Sequence, residues 1–414
     1  DYIRNFVASS SAEVVGSEFD VAIVDEADSI LIDEAAIPLV LAGKAEEKAS
    51  DLIKVIDTVK SLDDTDYEKD EQDGQIWLND SGREKIENAF LIDNLYSDEN
   101  NGILSDVNTA LEALYRLERD KDYIVRDGNI AVIDESTGRI AVSRKFPNAL
   151  HRFVEIKEGI TDNIDTKIFC SMTIGAFMEQ YKTLSGMTGT AATSANEFET
   201  TYGVRTVVIE PHTPCIRLDH DDNIYSTNDE RDAAVVDEII NANQKGQPVL
   251  IGTASVKESE KLSKMLDEKG VSHTVLNARN DEKEAAVIAN AGKPYSVTVS
   301  TNMAGRGVDI KLGGANEEEK EFVCSLGGLY VISTAINRSR RIDNQLKGRA
   351  GRQGDPGESR FFLSLEDDLM RLFGSERIQA IAANIPDDQP IDLKLLSNSV
   401  ETAQKRLEGN NYER

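Results

Sequence analysis

From Gly246 onward the sequence carries five short runs of β-formers, "QPVLIG", "VSHTVLN", "YSVTVST", "GLYVIST" and "SRFFLSL", and helical stretches at 256–269 and 281–291 separate the first three. Strands joined through helices are crossover-connected, so the sheet they build is parallel and covered on both faces. Ser255 followed three residues later by Glu258 is a capping-box signature at the start of the first such helix. In an open α/β sheet, ligands lie beyond the carboxyl ends of the strands. The residues after each run are therefore the first place to look for chemistry.

At 414 residues with 40% apolar side chains the chain exceeds the size of a single growing core, and two to four domains are expected. No apolar run reaches the roughly 18 residues that span a bilayer, and residues 1–30 lack a signal-peptide layout. Cys170, Cys215 and Cys324 are odd in number and far apart, which disfavours a disulfide framework and a zinc site and fits a reducing compartment. The net charge of −29 argues against broad binding to phosphate backbones. The four histidines, His151, His212, His220 and His273, show no metal-ligand spacing.

Between 19 and 43 the pattern is strand, acidic turn, short helix, strand. An acid-rich region follows, with seven acids against one lysine from Ser61 to Gly74. Two similar stretches each end in Asp-Glu: "FDVAIVDEADSI", with Asp25 and Glu26, and "GNIAVIDESTGR", with Asp134 and Glu135. The second sits in "DYIVRDGNIAVID", where Asp-Gly between alternating runs predicts a hairpin and places its acids at a water-facing strand end. The first follows the apolar run 21–24, expected to be buried. There Asp25 would hold Mg²⁺ through water and Glu26 would orient or deprotonate an attacking water. The same pair also suits the acidic first turn of a helix.

Two further stretches carry functional residue types. "TNMAGRGVDI" follows the strand at 295–300, and its glycines let backbone approach a ligand while Arg306 and Asp309 project from the loop. In "RSRRIDNQLKGRAGRQGDPG", Arg341, Gln345, Arg349 and Arg352 are predicted on one helical face, with Gly348 and Gly351 a concession of about 1 kcal/mol each that points to close packing. Arginines so placed can neutralise charge on a leaving γ-phosphate, an effect of roughly 10³–10⁵ in rate for an arginine finger.

Together these features resemble a two-domain helicase-type motor of the DEAD-box kind with ATP in the cleft between sheets. "VDEADSILIDEA", "GMTGTA" at 186–191, "TNMAGRGVDIKLGG" and "RRIDNQLKGRAGRQGDPGESRFFLSLEDDLM" resemble, in order and across nearly the whole chain, the SecA preprotein-translocase ATPases. The resemblance implies an α/β protein with two RecA-like parallel-sheet domains, the first incomplete, an inserted α+β preprotein-crosslinking domain and the start of a helical scaffold. Residues 1–43 and 173–210 would belong to the first nucleotide-binding domain, 44–172 to the insert, 211–375 to the second nucleotide-binding domain and 376–414 to the scaffold. The implied catalytic residues are Asp25, Glu26, Arg349 and Arg352, with Asp25 also the metal ligand. Gly305, Arg306, Asp309, Gln345 and Gln353 would contact nucleotide.

The chain also departs from the family. Ala36-Ile37-Pro38 stands where Arg-Thr-Pro is usual, "HTPC" at 212–215 where Asn-Arg-Pro is usual, Asn337-Arg338 where His-Glu is usual, and Ala350 where Ser is usual. Such drift around retained catalytic positions points to an accessory member. The Gly-Lys-Thr phosphate loop does not occur in these 414 residues and is expected upstream in an intact protein. The resemblance implies ATP and Mg²⁺ as cofactors, and unfolded preproteins, the membrane Sec channel and an anionic lipid surface as partners. It is also compatible with a homodimer, does not call for nucleic acid, and implies a cytoplasmic protein held peripherally at the inner face of the cell membrane. A nucleic-acid helicase and a catalytically silent scaffold are the rival readings, since fold does not fix function.

Overall fold

The computed structural model describes residues 2–16, 18–44, 49–69, 75–126, 128–133, 145–147, 149–160, 166–277, 284–301, 308–337, 339–367, 370, 404–405 and 408–409. The chain divides into two units, one from residues before Ala42 and after Ile168, the other from residues between them.

The first unit contains a seven-stranded sheet in which every pairing is parallel. Its order runs Asn223–Tyr225, Gly357–Ser364, Leu329–Ser333, Val249–Thr253, Val297–Thr301, Thr274–Leu276, with Leu218–Asp219 also paired to Gly357–Ser364. All five expected runs form strands. Val249–Thr253, Val297–Thr301 and Leu329–Ser333 are buried at every position, as a sheet covered on both faces requires. Val249 and Ile251 point to one layer, packing with Val235 and Ile239 of the helix Asn228–Lys245 and Leu262 and Leu266 of the helix Val256–Glu268. Leu250 points to the other, with Ile288, Val331, Leu346 and Ala350.

Local signals set these helices. The Ser255 hydroxyl accepts from the Glu258 amide at 3.2 Å, and the Glu258 carboxylate accepts in return from the Ala254 amide at 3.2 Å, one residue before the cap. Gly252 has a different task in the central strand. A Cβ there would lie 2.7 Å from Leu346 Cδ2, so the missing side chain sets how closely the helix Arg340–Lys347 approaches the sheet.

The strand Val21–Asp25 pairs in parallel with Thr183–Met187, Asp25 opposite Met187. The expectation that the run at 21–24 is buried does not hold, since Val21 is 60% and Ile23 69% exposed and only Val24 is buried. Among the described residues this strand pairs with Thr183–Met187 alone, which covers one edge and leaves side chains on an open face. Gly186 brings the two strands' ends together, because a Cβ there would meet Ala27 Cβ at 2.7 Å.

The second unit packs the helices Ala49–Lys60, Asp80–Phe90, Asn101–Leu111 and Leu150–Lys157 around Ile56, Val59, Ile86, Leu111 and Phe153. The predicted hairpin forms, with Tyr123–Arg126 antiparallel to Asn129–Val132 and Gly128 at φ 74° in its turn. A second antiparallel pair, Tyr67–Lys69 with Ile76–Leu78, carries Trp77, whose Nε1 donates to Glu68 at 3.2 Å. Asp66 accepts from Lys85, Ser81 and the Asp63 amide, and the Lys85 bond leads in holding its carboxyl down at about 2. The chain enters and leaves this unit through the paired strands Pro38–Lys44 and Thr166–Thr173. No helix among the described residues is long and apolar enough to cross a membrane.

Candidate functional site

At the carboxyl end of Val21–Asp25 the chain turns sharply. Glu26 adopts φ 49°, a left-handed conformation uncommon for a residue with a side chain, and its amide donates to Asp25 Oδ1 at 2.9 Å. Asp25 is exposed, as a carboxylate that meets a hydrated cation must be. The turn leads through buried Ala27 and Asp28 into the short π-helical segment Ser29–Asp33. Strained backbone at a strand end is the kind of local cost that functional sites retain.

Asp28 is fully buried, and groups from distant parts of the sequence converge on it. Its Oδ2 accepts from Thr190 Oγ1 at 2.6 Å, from Gln345 Nε2, and from Arg341 Nη1 at 3.4 Å. Gln345 Nε2 also donates to Thr190 Oγ1 at 3.1 Å. Arg341 forks onto Asp33, donating to both carboxylate oxygens. Burial opposes the charge on this guanidinium, but Asp33 and Asp28 more than offset that and hold it above its ordinary value. Gln345 Oε1 and Arg341 Nε are buried and have no hydrogen-bond partner among the described residues.

The helix that supplies Arg341 and Gln345 runs from Arg340 to Lys347 and stops there, which corrects the expectation of one helical face through Arg352. Gly348 is its C-cap, and Gly351 turns left-handed at φ 69° with its Cα against Arg217, where a Cβ would sit 2.6 Å from Arg217 Cβ. The glycines lie at the end of the helix and beyond it, not within it. Arg349 and Arg352 therefore lie beyond the helix. Arg349 is buried and donates to the Val308 carbonyl at 3.1 Å, while Arg352 donates to Gly348 O and Asp309 Oδ1, both at 2.8 Å. Gln353 follows at φ 52°. Both guanidiniums are thus seated at the loop after Val297–Thr301, the loop that the sequence singled out.

A third cluster occupies another side of the same helix. Asp343 is buried and accepts from the Asn337 amide at 3.0 Å, from Asn337 Nδ2 at 2.7 Å and from Gln404 Nε2 at 2.7 Å. Burial pushes its carboxyl up to about 7, with the Asn337 and Gln404 bonds acting against that rise. Beside it, Arg340 donates through Nε and Nη2 to Glu408 at 2.8–3.2 Å, and its amide donates to Glu408 Oε1 at 2.8 Å.

Of the residues singled out in the sequence, Gln345 meets the Asp25–Asp28 turn and Asp309 meets Arg352. Gly305, Arg306, Asp134 and Glu135 lie outside the described residues. Sequence reasoning missed Asp28, Asp33 and Thr190 as site residues. Each sat inside a quoted motif, but nothing in local spacing shows that one carboxylate collects partners 162 and 313 residues away. Among the described residues no group of three or more His, Cys, Asp or Glu side chains is placed to hold a metal ion.

This arrangement accords with the family comparison. Residues 1–199 match the family model described as the SecA DEAD-like domain, and 214–321 with 315–388 match the SecA P-loop domain. The chain belongs to the SecA family. Curated SecA relatives include the protein translocase subunit SecA of Caldicellulosiruptor saccharolyticus, 46% identical over 432 residues, and that of Halothermothrix orenii, 47% identical over 416. Each alignment covers 100% of this chain but 50% and 48% of the relative, so the chain spans about half the length of the SecA proteins it matches. Among solved structures, Saccharomyces cerevisiae Dbp5 bound to RNA and ADP BeF3 aligns over 63% of this chain and 60% of its own, at 13% identity and a TM-score of 0.34, a level that carries no weight on function. The α/β class with RecA-like parallel sheets follows from the family and from the seven-stranded sheet itself.

Proposed function

We propose that the chain supplies much of an ATP-driven motor that moves unfolded preproteins through the membrane Sec channel. The observation that carries this reading is the convergence on Asp28, where the Asp-Glu turn is joined by Thr190, Gln345 and Arg341. A site assembled from distant segments in this way can sense whether those segments are closed, which a motor requires and a silent scaffold does not. In this reading Asp25 holds Mg²⁺ through water, and the ion, when bound, neutralises phosphate charge. Glu26 positions and deprotonates the attacking water. Arg349 and Arg352 meet the departing phosphoryl group, and Gly305, Arg306, Asp309, Gln345 and Gln353 contact the nucleotide.

The exposed Asp25 carboxylate, with one oxygen fixed by the Glu26 amide, suits a hydrated cation. Residues 1–43 and 173–210 are assigned to the first nucleotide-binding domain, 44–172 to a preprotein-crosslinking insert, 211–375 to the second nucleotide-binding domain and 376–414 to the scaffold. The insert would take extended polypeptide by backbone strand pairing, with shallow apolar pockets giving weak sequence preference. Its surplus of acids would repel nucleic acid over about 8 Å at physiological salt. The motor would act at the cytoplasmic face of the membrane, held peripherally by channel and anionic lipid.

The test uses the intact protein. Glu26→Gln should leave ATP binding nearly unchanged and slow hydrolysis by roughly 10²–10⁴, while Glu135→Gln should change the rate little. Unfolded secretory polypeptide, channel or lipid should stimulate turnover, and RNA or DNA should not. Strong stimulation by single-stranded RNA with none from unfolded protein or membrane would establish the helicase reading instead.

A further inference from the structure

The helix Arg340–Lys347 is held on three sides. Leu346 rests over Gly252 of the central strand, Arg341 and Gln345 reach Asp28 and Asp33, and Arg340 and Asp343 receive Glu408 and Gln404. Gln404 and Glu408 are four residues apart, the spacing that puts two side chains on one face of a helical turn. Their contacts are specific in geometry. Gln404 Nε2 bridges the Asp343 carboxylate at 2.7 Å and the Asn337 carbonyl at 2.8 Å, and Glu408 takes the Arg340 fork together with the Arg340 amide. The amide contact places Glu408 at the first turn of the helix, where a carboxylate also complements the helix dipole.

We propose that Gln404 and Glu408 form a latch whose seating on Asn337, Arg340 and Asp343 holds the neighbouring Arg341 and Gln345 on Asp28 and Asp33. Adjacent residues on a short helix cannot move independently. A rotation or lift of this helix that withdraws Arg340 from Glu408 also displaces Arg341, one residue on. The contacts on both sides make the helix a two-position element, because partial displacement takes the Arg341 and Gln345 donors away from the buried carboxylates of Asp28 and Asp33. Asp343 strengthens the link. Its described donors are uncharged and burial opposes its charge, so loss of the Gln404 amide removes one of the donors that hold the buried carboxylate under the helix. Displacement of Gln404 and Glu408 is thereby transmitted to Asp28 and Asp33, in the segment that follows the Asp-Glu turn.

The experiment is hydrogen exchange on the intact protein without nucleotide, a readout that does not depend on ATP turnover. Glu408→Ala and, separately, Gln404→Leu should raise exchange in peptides covering 29–34 and 340–347 by tenfold or more, while the central strand Val249–Thr253 stays as protected as before. The exchanged pair Arg340→Glu with Glu408→Arg should recover much of the protection that Glu408→Ala loses. Faster exchange confined to the segment around Gln404 and Glu408, with 29–34 unchanged, overturns the latch. Loss of protection spread equally into Val249–Thr253 also overturns it, since that is general destabilisation.

Discussion

Gly252→Ala is the smallest change that tests whether the height of the helix Arg340–Lys347 above the sheet governs the site. The added Cβ would lie 2.7 Å from Leu346 Cδ2, 3.3 Å from Cδ1 and 3.6 Å from Cγ. Carbon atoms settle at about 3.5–4.0 Å, so roughly 1 Å must be found. Turning the Leu346 side chain exchanges one methyl for the other over the same spot, and Leu346 is buried among Leu250, Val331 and Ala350. The helix therefore lifts. Overpacking of this kind costs about 1–3 kcal/mol, or a fall in melting temperature of roughly 2–12 °C at 2–4 °C per kcal/mol. A displacement of about 1 Å in positioning groups can cost up to about 100-fold in rate, so turnover in the intact protein should drop about 10–100-fold. Calorimetry and steady-state turnover of Gly252→Ala, Leu346→Val and the double variant form a cycle, and the shorter side chain of Leu346→Val should return part of both losses. Strict additivity in that cycle, or normal turnover in Gly252→Ala, would refute the reasoning.

Other outcomes follow from the same geometry. Arg352→Ala and Arg349→Ala should each lower turnover more than nucleotide affinity. Only Arg349→Ala should also lower the melting temperature, because Arg349 is buried whereas Arg352 makes an exposed pair of the kind that contributes about 0–1 kcal/mol; unchanged turnover at saturating ATP would remove that arginine from catalysis. The 414-residue polypeptide by itself should hydrolyse ATP negligibly, since it carries no Gly-Lys-Thr loop to place the γ-phosphate, and robust turnover by the purified chain would contradict this. Burial raises the carboxyls of Asp343 and Asp367 to about 7, so the folded state binds these protons more tightly than the unfolded one. Stability should then fall as pH rises from about 4 to 7 and level off above, while Asp66, held down at about 2, contributes stability that is lost only in acid. Urea unfolding at pH 5 and pH 8 should show a smaller difference in Asp343→Asn than in the parent, and an equal difference would count against the assignment.

The larger sheet was legible because a strand buried on both faces writes itself as a short run rich in Val, Ile and other small or apolar residues with no charges, and Val249–Thr253, Val297–Thr301 and Leu329–Ser333 do so. The capping box at Ser255 and the hairpin at Gly128 were legible for a similar reason, since each is fixed by residues next to one another in sequence. The strand at 21–25 misled, because an apolar run reports the environment a segment is suited to, and within this chain Val21 and Ile23 face outward. The helical face extending to Arg352 misled as well. Periodicity continued past Lys347, but Gly351 supplies a left-handed turn that a wheel projection does not register. Asp28 was not found because its role lies in partners brought by the fold, not in its own neighbours.

The topology around the smaller sheet bears on how the protein is made. Asp28 and Thr190, which meet at 2.6 Å, are 162 residues apart, and the second unit lies between them in sequence. Were those residues unstructured, closing such a loop would cost about 4–5 kcal/mol of chain entropy on a (3/2)RT ln n scale. The paired strands Pro38–Lys44 and Thr166–Thr173 shorten it, because once they are joined only the segments flanking them remain to be ordered. The saving is about 1.5 kcal/mol, roughly a tenfold gain in the rate of closure if it is realised at the barrier. Loop entropy favours one order of events on a nascent chain, in which the inserted unit folds first, its two connecting strands zip, and Asp28 gains its Thr190 partner last. A lesion in the core around Ile56, Ile86 and Phe153 would therefore surface as slow formation of the Asp28–Thr190 contact.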